Sequence, residues 1–174
     1  MGEFALGTDA ILDALRGAIG TSVTIGEDPN VETYEFPWII EGPPLRWLGK
    51  VDDYPAIVFQ VKSTLTSDTV EQARRMVQHQ LPITVWVEFH SELVYESVVT
   101  PYVYGLCRKI GDAVVKKIMD AGAKMGLEWL AKKQLVANGM NDDLMNTLEE
   151  QNVAIYGIDL VFEYFNVSSE APVM

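Results

Sequence analysis

The chain is short of cysteine, of basic residues and of long apolar runs. Cys107 is its one cysteine, which excludes a disulfide framework and a cysteine-based metal site. Only 13 Lys and Arg stand against 25 Asp and Glu, leaving a net charge of −12. That balance opposes adhesion to phosphate backbones and to anionic membranes. No apolar run approaches the ~20 residues needed to span a bilayer. The opening MGEFALGTDA lacks the basic stretch of a secretory signal, and Leu6 stands where a myristoylation signal requires Ser or Thr. The expected compartment is the reducing cytoplasm.

Catalytic motifs are absent as well. There is no phosphate loop, no Gly-x-Ser-x-Gly and no dinucleotide fingerprint. His79 and His90 have no acid and nucleophile beside them, and a base without an oriented partner is a structural residue. The doublets Asp52-Asp53 and Asp142-Asp143 lack a spaced third ligand, so they read as solvated loop carboxylates or helix caps rather than a metal site. No catalytic residue, cofactor or metal ligand is assigned, and enzymatic activity is not expected.

What is present suits one domain spanning 1–174, with 48% hydrophobic and 22% charged residues. Ile11, Leu12, Leu15 and Ile19 recur at helical spacing after Thr8 or Asp9 as cap, and Gly20 ends the run. Residues 26–55 hold five of the eight prolines. Their Pro-Pro and Gly-Pro punctuation predicts an extended arm or long ordered loop, and Trp38 and Trp47 argue that it packs on something. Ala56 to Val61 is a short strand. Leu81 to Phe89 is a stronger one, with Leu81, Ile83, Val85, Val87 and Phe89 on one side and Thr84, Trp86 and Glu88 on the other. The polar connector 62–80 leaves two readings open. Asp68 and Thr69 cap a short helix, or the residues after Arg74 extend the next strand into a hairpin arm. Arg74-Arg75 is the one basic doublet there, either solvated or salt-bridged to an acidic neighbour.

Thr100-Pro101 opens a long helix. Asp112, Lys116, Asp120, Lys124, Glu128 and Lys132 step by four with alternating sign, each acid preceding its base, worth roughly 0.2–0.5 kcal/mol per pair. Ile110, Val114, Ile118, Gly122, Gly126 and Leu130 form its packing face, with a break near Gly122 as the competing reading. Asn141 is expected to cap a short helix through Leu144 and Leu148. The last element, VAIYGIDLVFEYFNV from Val153, alternates as a strand does. Ala154, Tyr156, Ile158, Leu160, Phe162 and Tyr164 form a wholly apolar face. The other face mixes apolar residues with Asp159 and Glu163, and includes Phe165.

In order, DAILDALRGAIG, DYPAIVF, LPITVWVEF and the closing YGIDLVFEYF resemble the tail terminator proteins of long-tailed bacteriophages, which overlap with neck or head–tail joining (tail completion) proteins. The resemblance covers most of the chain as a pattern. The proline-rich 26–55 segment and extra helical material from Gly122 to Glu150 depart from the compact version. It implies an α+β fold, with a small, mostly antiparallel sheet and helices packed on one face, plus the proline-rich arm. It also implies a non-enzymatic structural protein forming a ring, usually a hexamer, that caps the tail tube and docks the head. Its partners would be tail tube and head connector proteins, its location the virion head–tail interface after assembly in the host cytoplasm. DNA would pass through the lumen without specific binding, consistent with an acidic surface, and no membrane is involved. Expected subunit or partner contacts are Trp38, Trp47, Arg74, Arg75, Trp86, Asp159, Glu163 and Phe165. The alternative is a small-molecule or peptide-binding α+β module of the cytoplasm, with Trp38, Trp47 and Trp86 lining a pocket.

Overall fold

A computed structural model describes residues 3–27, 29–43, 54–71, 74–90, 101–142 and 153–168. In chain order these form α1 (Glu3–Ile19), β1 (Ser22–Glu27), β2 (Asn30–Glu35), β3 (Trp38–Glu41), β4 (Ala56–Val61), β5 (Leu65–Glu71), β6 (Arg74–His90), α2 (Pro101–Asp120), β7 (Leu130–Met140) and β8 (Val153–Ser168). The architecture is α+β. Six strands form a mixed sheet in the order β3-β4-β6-β8-β7, with β5 paired to β6, while β1 and β2 form a separate hairpin. All pairings are antiparallel except β3 with β4, which is parallel.

The alternating strands set the core. Leu81, Ile83, Val85 and Val87 of β6 are fully buried, and so are Ile158 and Phe162 of β8. Both helices cover this face. Ile11, Leu12, Leu15 and Ile19 of α1 and Val103, Cys107, Ile110, Val114 and Ile118 of α2 join the same apolar cluster. Close approach has a visible cause on each helix. A Cβ at Gly7 would stand 3.1 Å from the Tyr164 hydroxyl, and one at Gly111 would stand 2.3 Å from the Tyr156 ring. Gly111 therefore seats α2 directly on an aromatic ring, where any side chain would collide.

Two lysines secure the helix ends by donating to carbonyls in and just beyond the last turns. Lys117 of α2 donates to the carbonyl oxygens of Ile19, at 3.0 Å, and of Ser22, just past α1. Lys133 of β7 donates to Ile118 O at 2.5 Å and Gly122 O at 2.6 Å, past the end of α2. Burial lowers the Lys133 pKa.

Several expectations change here. The first helix begins at Glu3, so Thr8 and Asp9 lie inside it rather than capping it. The segment from Gly26 to Glu41 is largely strand, not loop. Its prolines fall between elements, with Pro29 in the β1–β2 turn and Pro37 just before β3. Gly26 has φ of +95°, and a Cβ there would lie 2.2 Å from Asn30 O, so only glycine closes this hairpin. The 44–53 part of the arm lies outside the described residues. The connector 62–80 is a hairpin: β5 pairs with β6 from Leu65↔Gln80 to Glu71↔Arg74.

The long helix ends at Asp120, where the competing break was expected. Gly122 and Gly126 take φ of +90° and +78°, which a helix cannot accommodate. The charge ladder is thus split. Asp112, Lys116 and Asp120 sit on α2, Lys124 and Glu128 in turns, and Lys132 on β7. The material read as helical from Gly122 onward contains an edge strand, Leu130–Met140, bulged at two places against β8. The helix expected through Leu144 and Leu148 lies outside the described residues.

Candidate functional site

The outer face of the sheet, opposite the helices, carries most of the residues singled out above. Alternation puts Thr84, Trp86 and Glu88 of β6 there, and antiparallel register adds Gly157, Asp159, Glu163 and Phe165 of β8. This face is not uniformly open, since Val58, Thr84, Glu88 and Ile155 are buried on it.

Trp86 faces Gly157 across the ladder, and a Cβ at Gly157 would come within 2.9 Å of the indole. The missing side chain lets the ring lie over β8. Trp86 Nε1 donates to Gln60 Oε1 at 3.0 Å, which fixes the ring from the β4 side. One pair further along, Thr84 Oγ1 donates to Asp159 Oδ1 at 2.7 Å and holds that carboxylate in place. The end of β7 forms a third wall, with Ala137 opposite Asp159 and Gly139 opposite Gly157. Asn141 N donates to Ile155 O at 2.9 Å, and the Tyr104 hydroxyl of α2 donates to Asp142 Oδ1 at 3.1 Å. Trp86, Gly157, Asp159, Gly139, Asn141 and Asp142 thereby line a cleft of about 490 Å³. Among the described residues, its lining includes two carboxylates and no basic side chain.

A polar network braces the cleft from behind. Tyr156 donates to Asp112 Oδ1 at 2.6 Å and accepts from Asn138 Nδ2 at 2.6 Å, while Arg108 Nη1 lies 3.1 Å from Asp112 Oδ2. Burial first, and then the bond to Asp112, push the Tyr156 pKa up to about 12. Burial and the bond to Asp142 likewise raise that of Tyr104. The arrangement offers an aromatic ring with two carboxylates nearby, which suits a cation.

Nucleophilic chemistry is poorly served. The Cys107 thiol is buried within 3.5 Å of Ala154 O, and burial, then the Glu88 carboxylate, push its pKa far up, against formation of the reactive thiolate. His79 stacks on Tyr164 with centroids 4.7 Å apart, and burial lowers its pKa. His90 meets Tyr54 edge-on at 5.5 Å. Among the described residues, no three His, Cys, Asp or Glu side chains are placed to hold a metal ion, and no helix is long and apolar enough to cross a membrane. A second, wider cleft of about 810 Å³ lies by Tyr34, Phe36, Tyr54 and Pro55.

Of the residues singled out in the sequence, Trp86 and Asp159 come together in the first cleft. Glu163 and Phe165 share the outer face but lie further along β8, opposite Gln80 and Gln78. Trp38 sits on β3 opposite Ala56, 41% exposed and away from the cleft lining. Arg74 and Arg75 begin β6, at the far end of the hairpin. Trp47 lies outside the described residues. Of the tryptophans expected to line a pocket, Trp86 lines this cleft and Trp38 does not. Tyr104 and Asn141 carry no sequence signal for their roles, and Asp142 was visible only as half of an acidic doublet. No protein-family model matches the chain, and no curated protein is significantly similar to it.

Proposed function

We propose that the protein is a structural subunit of a long-tailed bacteriophage virion. In this reading it forms a ring, usually of six copies, that caps the tail tube and joins tail to head as a tail terminator or neck protein. The observation that carries the reading is the arrangement of α1, β4, β6, α2 and β8. Of the segments that resemble tail terminators, DYPAIVF, LPITVWVEF and YGIDLVFEYF meet in one sheet, and DAILDALRGAIG packs on it as α1, on the same face as α2. Its partners are the tail tube and the head connector, and it acts without catalysis or cofactor. Composition supports a lumen that DNA crosses without adhering. Six copies at −12 each carry about −72, so basic residues do not dominate the surface.

Native mass spectrometry and negative-stain electron microscopy test the reading directly. A closed ring of about six copies is expected, and a monomer or a twofold dimer sinks it. The isolated protein is also expected to show no appreciable duplex DNA binding at physiological salt. Micromolar, salt-sensitive binding would contradict the proposal. The cleft at Trp86 favours one alternative, a small-molecule or peptide-binding module. A monomer that takes up ligands at that cleft would favour it.

A further inference from the structure

We infer that the cleft between Trp86, Asp142 and Asp159 is a binding site for a small organic cation, one that carries a guanidinium or ammonium head. All of these groups belong to one chain, so uptake goes beyond the ring reading and does not depend on it. The indole is set in advance. Trp86 Nε1 donates to Gln60 Oε1 at 3.0 Å, and the missing side chain at Gly157 leaves the six-membered ring its place over β8. A half-buried ring that lines an open cleft offers a π surface to which a cation is drawn. Each carboxylate is oriented through one oxygen. Asp159 Oδ1 accepts from Thr84 at 2.7 Å, and Asp142 Oδ1 accepts from Tyr104 at 3.1 Å. The Oδ2 atoms of both have no partner among the described residues and can receive a cationic N–H donor. The cleft's volume of about 490 Å³ falls in the range of small-molecule sites, roughly 300–1,000 Å³.

The sign of the charge around the cleft follows from the sequence. The segments outside the described residues that adjoin β6, β7 and β8 along the chain are 72–73, 91–100, 143–152 and 169–174. None of them contains Lys, Arg or His, whereas together they hold Glu92, Glu96, Asp143, Glu149, Glu150 and Glu170. These segments therefore supply no competing cation. Arg108, behind the cleft, is already paired with Asp112 at 3.1 Å. In a chain with 25 acids and 13 bases, the field at such a cleft favours a cation from solution.

Calorimetric titration of the full chain with butylguanidinium chloride and with butylurea, its neutral isostere, tests the site. Circular dichroism checks folding of each variant. Saturable uptake of butylguanidinium at one site per chain is expected, with butylurea weaker by about tenfold or more. Asp142→Asn and Asp159→Asn are each expected to weaken uptake by about tenfold, and Trp86→Leu by about fivefold. Glu128→Gln removes the same charge from an exposed turn and should change uptake by less than about twofold. No saturable uptake overturns the site. Equal uptake of the two probes, or a loss at Glu128 as large as those at Asp142 and Asp159, shows only diffuse attraction to an acidic chain and overturns it too. Native mass spectrometry reads the ring separately. A chain that takes up the cation but forms no ring sinks the ring reading alone, and a ring without uptake sinks this site alone.

Discussion

The two faces of β8 use the same device to different ends. On the helix-covered face, Gly111 of α2 makes room for Tyr156, and every residue from Ala154 to Tyr164 on that side is at most 3% exposed. On the outer face, Gly157 makes room for Trp86, but Gly157, Asp159, Val161, Glu163 and Phe165 remain half-buried. A glycine under a helix lets the core close. A glycine under a half-buried indole shapes a recess instead. One face is therefore closed by packing, while the other keeps an open recess beside its buried positions.

The largest expected difference comes from truncating aromatic residues on the two faces. Phe162→Ala on the covered face is expected to cost about 4 kcal/mol of unfolding free energy, since a cavity remains in a close-packed core. Phe165→Ala on the outer face is expected to cost about 1 kcal/mol or less. Denaturant melts of both variants check the comparison, and equal losses would break it.

The glycine pair gives a smaller contrast. Gly111→Ala gains helix propensity, yet its Cβ would meet the Tyr156 ring at 2.3 Å, and a net loss of about 2 kcal/mol is expected. Gly157→Ala meets only the outer edge of Trp86, at 2.9 Å. Its loss is expected to stay under about 1 kcal/mol, with a shift in Trp fluorescence reporting displacement of the indole.

Lys133→Ala removes the cation that bonds the carbonyls of Ile118 and Gly122, and should cost about 1 kcal/mol in thermal unfolding. Lys133→Arg is expected to recover part of it. The last effect appears only in alkali. Tyr156 has a folded-state pKa raised from 10.0 to about 12, so the unfolded chain loses this proton first as pH rises. The stability it contributes is fully present below pH 10 and is lost between pH 10 and about 12. Tyr156→Phe should make that part of the pH profile flatter, and an unchanged profile would remove Tyr156 from the account.

Much of the covered face was legible without coordinates. Period-two alternation in 81–89 and 154–165, and helical spacing of Ile11, Leu12, Leu15 and Ile19, identify which residues turn inward. Burial is a property of local pattern when one side of an element is apolar. The boundary at Gly122 was held only as the competing reading, although a glycine is what the positive φ there requires. Where the signs were misread, a tertiary partner had taken over. Residues 38–41 look like part of a proline-rich loop until β4 offers Ile39 and Ile40 a parallel ladder. The start of 130–140 reads as a continuation of helix on charge and apolar spacing, but β8 supplies an edge with which these residues pair.

The outer-face cleft depends on relations between distant positions. Trp86 lies on β6, Asp159 on β8 and Asp142 just past β7, and nothing in the spacing of any one of them reports the others. Their convergence follows from the antiparallel register of β6 with β8 and from the bulges that shift β7 against it. By itself the sequence determined the acidic balance, the faces of the two long strands, α1 and most of α2, since these rest on composition and on neighbours a few residues away. Only the tertiary structure decided the hairpin arm, the strand status of β3 and β7, and the recess around Trp86, because hydrogen-bond register between strands is set by partners remote in the chain.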